Sequence, residues 1–108
     1  MSAPTIPIDD QLLNGVRLGD RVALARLHHD AHDDLLAEAT DQLGGDASHA
    51  EAIVAHAFER LQEEHACFNT AAVVDVFLRS AVREAAVRER SHRAVSEWYA
   101  LHFAGVAG

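Results

Sequence analysis

Apolar residues along this chain recur at steps of three and four, and only a few points interrupt the recurrence. Val22, Leu24, Leu27, Ala31, Leu35, Leu36 and Ala39 form one such series, the mark of a helix with a single buried face. Asp20 is placed to cap its start, and Gly44-Gly45 stops it. Upstream, Asp9-Asp10 can cap a short helix through Leu12, Leu13 and Val16 that ends near Gly19. A third series, Ala50, Ile53, Val54, Ala57, Phe58 and Leu61, comes after Asp46 and Ser48, either of which can cap it. Glu51, three residues past Ser48, would complete a capping box. The pattern lapses between His65 and Ala71. There Cys67-Phe68-Asn69-Thr70 reads as a loop whose Phe turns inward and whose Asn or Thr caps the next helix. Val73, Val74, Phe77, Leu78, Ala81, Val82, Ala85 and Ala86 make that fourth helix, which turns polar after Val87. A last apolar segment, Val95 to Phe103, holds Trp98, Tyr99 and Phe103, half of the six aromatic residues. Such a cluster is costly to leave wet and is expected to pack back on the bundle or on a partner.

The pattern predicts an all-α fold, a small helical bundle of four to five helices. Residues 1–8 read as a frayed arm, because Pro4 and Pro7 prevent helix and no periodicity is present. Residues 9–93 form the helical domain, and 94–108 a C-terminal apolar helix and tail. No internal repeat or low-complexity segment breaks this division. At 108 residues the chain makes one domain with a single core and needs neither metal nor disulfide. Apolar residues are 49% of it, above what a disordered chain carries, and Ala and Leu among them favour helix.

The lone Cys67 excludes an internal disulfide and fits a reducing compartment. No apolar run approaches the roughly 20 residues of a membrane helix, and the first residues lack the blocks of a signal peptide. A cytoplasmic chain without membrane contact is expected.

Net charge is −8, which argues against nucleic acid until its distribution is read. Between residues 79 and 93 stand Arg79, Arg83, Arg88, Arg90 and Arg93 against Glu84 and Glu89, a local charge of +3. The remaining residues hold four arginines against fifteen acids, and there is no lysine anywhere. One basic helix thus sits on an acidic body. Arg79, Arg83 and Arg90 fall near one helical face, where guanidinium groups can track phosphates. The same residues would equally suit a solvated face with pairs such as Glu84–Arg88. Charge alone leaves both readings open.

Other constellations carry less. His28 and His32 share a face at a spacing zinc sites use, among Asp30, Asp33 and Asp34, but no second ligand pair matches them; His56 and His65 are nine apart. No metal or cofactor is expected. Cys67 has His65 nearby but no third orienting group, and Ala66 and Phe68 suggest a half-buried structural thiol. Glu63-Glu64 suggest no acid/base pair, and Gly44-Gly45 ends a helix rather than cradling a phosphate. The chain is not expected to be an enzyme.

From about Leu12 to Arg93 the chain resembles region 2 of bacterial sigma factors of the extracytoplasmic-function class. Gln11-Leu12-Leu13, Gly19-Asp20 and Ala23-Leu24-Ala25-Arg26-Leu27 are similar to that family's first helix, Gly-Asp turn and long second helix. Of its third-helix pattern the chain keeps Asp46, Ala50, Glu51, Val54, Phe58, Arg60 and Leu61; of its fourth, Phe77, Leu78 and Arg83, with Arg88, Arg90 and Arg93 beyond. It departs at His49, Ala52, Ala55 and His56, where the family has polar residues that dock on polymerase, and at Glu84, the usual Asn position. The resemblance implies a sigma region 2-like transcription regulator acting in initiation with core RNA polymerase and promoter DNA. It implies phosphate contact by Arg79, Arg83, Arg88, Arg90 and Arg93, and polymerase or partner contact by Glu51, His56 and Glu59, with Trp98 and Tyr99 as a further contact segment. The family's region 4 has no counterpart in residues 94–108, so the chain looks like a stand-alone, diverged region 2, with a separate partner domain as one alternative source of the missing part. The alternative is a sigma mimic that binds an anti-sigma factor, or forms a homodimer, without touching DNA.

Overall fold

A computed structural model of the chain describes residues 6–103. Four α-helices succeed one another: α1 (Asp10–Arg17), α2 (Arg21–Gln42), α3 (Ala47–Glu63) and α4 (Ala71–Phe103), with a single 3₁₀ turn (His65–Cys67) before α4. Among the described residues there is no strand. The bundle is all-α, as the periodicity predicts. The expected residues 1–5 of the arm, and the tail beyond Phe103, lie outside the described residues.

Local signals start and stop the helices where the sequence places them. Asp9 accepts from the Leu12 N–H at 2.7 Å and Asp20 from that of Val22 at 3.2 Å. Asp46, not Ser48, caps α3 by accepting from the His49 N–H at 3.2 Å. The capping box does not form, because Ser48 lies inside the helix and Glu51 turns to His32. Thr70 Oγ1 accepts from the Val73 N–H and so caps α4. Gly19 carries a φ of +72° between α1 and α2, and a side chain there would also meet the His65 ring at 3.1 Å.

α2 is the central element and packs against α1, α3 and α4, while α3 also packs on α4. Leu27, Leu35, Leu61, Leu78, Val54 and Val82 are completely buried in the interior. Between them Ala31, Ala39, Ala50 and Ala86 are fully buried, and their small side chains let helix axes approach closely. Two details differ from the periodic reading. Val22 is 76% exposed, and Ala23 takes the inward place at the start of α2. Cys67 is exposed, because the 3₁₀ turn directs Phe68 alone into the core, edge-on to Phe77 at 5.0 Å.

Residues 6–8 do not stand free. Ile6 is buried, its N–H donates to Asp75 Oδ1 at 3.3 Å, and Ile8 packs against the core. In an extended segment residues two apart share a side, so Pro7 can point outward while both isoleucines turn in.

The largest departure is at the other end. The expected separate apolar helix does not exist, because α4 is continuous for 33 residues, about 50 Å at 1.5 Å per residue. No glycine or proline falls within it to break it. Among the described residues its last core residue is Ala86, and Arg93 ties it to Asp46 of the bundle. Residues 94–102 run past the bundle with every side chain exposed, and do not fold back on it.

Candidate nucleic-acid and partner interface

The five arginines of α4 do not form one outward row. Arg79 is nearly buried, its side chain 13% exposed; Nε donates to Asp75 Oδ1 at 3.1 Å and Nη1 to Glu38 Oε2 at 3.3 Å. Arg83, more than half exposed, donates through Nε to the other oxygen of Glu38 at 2.6 Å. Arg93 is clamped by Asp46 at 2.6 Å and Glu89 at 3.1 Å. Only Arg88 and Arg90 are exposed and without an ion pair among the described residues. The physical reason is register. Arg79 and Arg93 come one turn after Asp75 and Glu89, and both sit beside the stripe that faces the bundle. The structure thus divides the five expected phosphate contacts: Arg79 and Arg93 are held internally, Arg83 shares the Glu38 carboxylate with Arg79, and Arg88 and Arg90 stand open. Glu84 does not pair with Arg88; it lies 3.9 Å from Arg60, whose guanidinium also covers Phe77.

Glu38 is the residue that sequence reasoning misses. It lies on α2 three residues after buried Leu35 and one before buried Ala39, so its carboxylate borders the core. That position is itself a signal, because an acid beside a core stripe requires a cation from a neighbouring helix.

On α3 the three expected contact residues do not meet in one patch. Glu51 accepts from His32 Nε2 at 3.1 Å and is tied to α2. Glu59 borders a shallow groove of about 420 Å³ between α2 and α3, floored by Leu24, His28, Ala55 and Phe58. His56, one turn before Glu59, borders a second groove of about 370 Å³ towards α4, with Ala52, Ala85, Arg88 and His92. Only a long contact of 3.7 Å joins His56 to Glu59. Ala52 and Ala55 form a low ridge between the grooves, open to a partner's side chains.

Asp46 joins the end of α4 to the start of α3. The His49 N–H, the His49 ring at 2.7 Å and Arg93 hold its carboxyl below the usual value, the first of these most strongly. Across α2, burial against Phe58 lowers the His28 pKa, with His32 adding to the effect. Hydrogen bonds to Glu51 and then Asp33 raise that of His32. His28 and His32 are within 5.3 Å, but among the described residues no group of three His, Cys, Asp or Glu is placed to hold a metal ion.

Trp98 and Tyr99 stand on the part of α4 beyond the bundle, each about half exposed. The Trp98 ring stacks on His102 at 4.3 Å and meets Tyr99 edge-on at 5.4 Å. They lie beyond Arg88, Glu89 and His92, the last α4 residues that border the groove with α3, and so form a separate surface.

Comparison of the chain with protein-family models, with curated proteins and with solved structures finds no match. Any functional reading therefore rests on the residues and on the packing described above.

Proposed function

We propose that this chain is a sigma factor region 2-like module of transcription initiation. In this reading it engages core RNA polymerase along the outer ridge of α3 and contacts promoter DNA through Arg83, Arg88 and Arg90. The supporting observation is how the α3 motif divides. Asp46 caps the helix, Ala50, Val54 and Leu61 are buried and Phe58 is half-buried, which leaves Ala52, Ala55, His56 and Glu59 outward for docking. The alanines and histidines there offer a flatter, less charged surface than carboxylates, so docking would depend on shape more than on charge.

A second reading is favoured by one specific observation, the internal engagement of Arg79 and Arg93. With these two neutralised on an acidic body, the chain would suit a protein-interaction module that sequesters an anti-sigma factor and leaves DNA alone. A single experiment separates the two. Labelled promoter-fork DNA is titrated with the chain, with and without core polymerase, over a range of salt. The first reading expects binding in the presence of polymerase, with a steep salt dependence. Replacing Arg88 and Arg90 by alanine should make the log–log slope shallower by about 0.9 for each phosphate no longer neutralised. Binding to an immobilised anti-sigma factor with no DNA affinity at any salt would establish the second reading instead.

A further inference from the structure

The part of α4 that leaves the bundle carries an ordered pattern of its own. Val87, Ser91, Ala94, Trp98 and Leu101 succeed one another at steps of four, three, four and three, the a/d spacing of a helix that pairs with another helix. Val87 is 48% exposed, Trp98 50% and Leu101 82%. The stripe lies on the side of α4 opposite Ala86, Glu89 and Arg93, which face the bundle. A helix laid along it would therefore avoid the chain's own core.

We propose that the stripe binds a second copy of this chain, with the two α4 helices antiparallel and a two-fold axis between residues 92 and 93. Trp98 of one copy then packs against Val87 of the other, and Ser91 meets Ala94 at the centre, where small side chains let the axes approach. The interface ends at Glu84, whose carboxylate is drawn aside towards Arg60.

Charge selects both the orientation and the register. Arg90 and Glu97 are seven residues apart, on the same flank of the stripe, and neither has an ion pair among the described residues. In antiparallel helices the same flank of each copy comes together, so Arg90 faces the second copy's Glu97, and Glu97 its Arg90. Sliding by one heptad either way opposes Arg90 to Arg90 or Glu97 to Glu97, which like charges disfavour. A parallel pair would place Glu84 against Glu84 and Arg83 beside Arg88. The two-fold arrangement makes every contact twice, as a closed dimer requires. Such a dimer does not rest on the transcriptional reading, because it needs neither the α3 ridge nor DNA; it shares only Arg90 with the proposed DNA contact, so pairing of two copies would occupy that residue.

Sedimentation velocity of the full chain at rising concentration tests it. The expected result is a species of twice the 11.7 kDa chain mass, formed in the micromolar range. Fluorescence of Trp98, the sole tryptophan, should shift to the blue over the same range. Arg90→Glu and Glu97→Arg should each weaken the dimer about tenfold, since each converts two attractions into repulsions. The double variant Arg90→Glu/Glu97→Arg should restore it to near the original strength. Circular dichroism of each variant checks that the helix content is retained, as expected for exposed positions. A chain that stays monomeric at high micromolar concentration overturns the proposal. So does a dimer indifferent to the single reversals, or a double variant no stronger than the singles.

Discussion

His28 and His32 stand one turn apart on α2, and their surroundings drive them in opposite directions. Burial lowers the pKa of His28, while hydrogen bonds to Glu51 and Asp33 raise that of His32, both from 6.5. The consequences for stability oppose each other. The His32–Glu51 tie contributes fully below 6.5 and is lost as pH rises through the raised folded value. His28 contributes above 6.5, and its contribution is lost as pH falls through the lowered one. Proton NMR should therefore show His32 titrating at higher pH than His28, with the two midpoints on either side of 6.5. His32→Gln should destabilise the chain by roughly 0.2–1 kcal/mol just below 6.5, and by less at alkaline pH, in urea unfolding monitored by circular dichroism. A histidine-rich face among aspartates is visible in the sequence. Which histidine gains a proton and which resists it is not, because that depends on Glu51 and Phe58 arriving from α3.

At the scale of elements, the joint between α1 and α2 depends on a missing side chain. Gly15 lies inside α1, where alanine would ordinarily favour helix by about 0.5–1 kcal/mol. A Cβ at that position would stand 2.5 Å from the Ala23 Cβ, so the two helices would have to separate. Gly15→Ala should destabilise the fold by about 1–3 kcal/mol despite its better propensity, as overpacking does, and thermal melting would show it. Short-range information locates the elements well. The caps at Asp9, Asp20, Asp46 and Thr70, the inward Phe68 and the stripes of α3 and α4 are all legible, since each involves only neighbours along the chain. Three features are less so. Periodicity places Val22 inward because a one-residue rotation of the stripe satisfies the same spacing; the α1 contact selects Ala23. The polar stretch after Val87 suggests a break, yet its residues simply surround a helix that no longer has a bundle on every side. The arginines suggest one face, although the i,i+4 carboxylates Asp75 and Glu89 are present in the sequence. Glu38 shows why: a residue 41 positions from Arg79 enters its charge balance only through folding.

For the molecule as a whole, α4 passes through two environments without a change of conformation, and this predicts a gradient of stability along one helix. Up to Ala86 its amides are held by the core, where Val74, Leu78 and Val82 are completely buried. Arg93 then fastens the helix to Asp46 and Glu89. Beyond it, residues 94–102 are all exposed to solvent, and a helical segment of that length is marginal in water by itself, since isolated helices shorter than about 12–15 residues are. What preserves it is continuity with the anchored part, which removes the cost of nucleation but not of fraying. Hydrogen exchange read by mass spectrometry should reflect this. In dilute solution, peptides covering 74–86 should exchange only through global opening, while those covering 95–102 exchange orders of magnitude faster. The transition should fall near Arg93, and Arg93→Ala should move it towards Ala86 without altering protection at Val82. If two copies pair along the stripe, raising the chain concentration should slow exchange in 95–102 and leave 74–86 unchanged, because the core already limits those amides. Protection in 95–102 as high in dilute solution as at Val82 would mean that the far end of α4 has cover from elsewhere in the chain, and the stripe would then not be a surface at all.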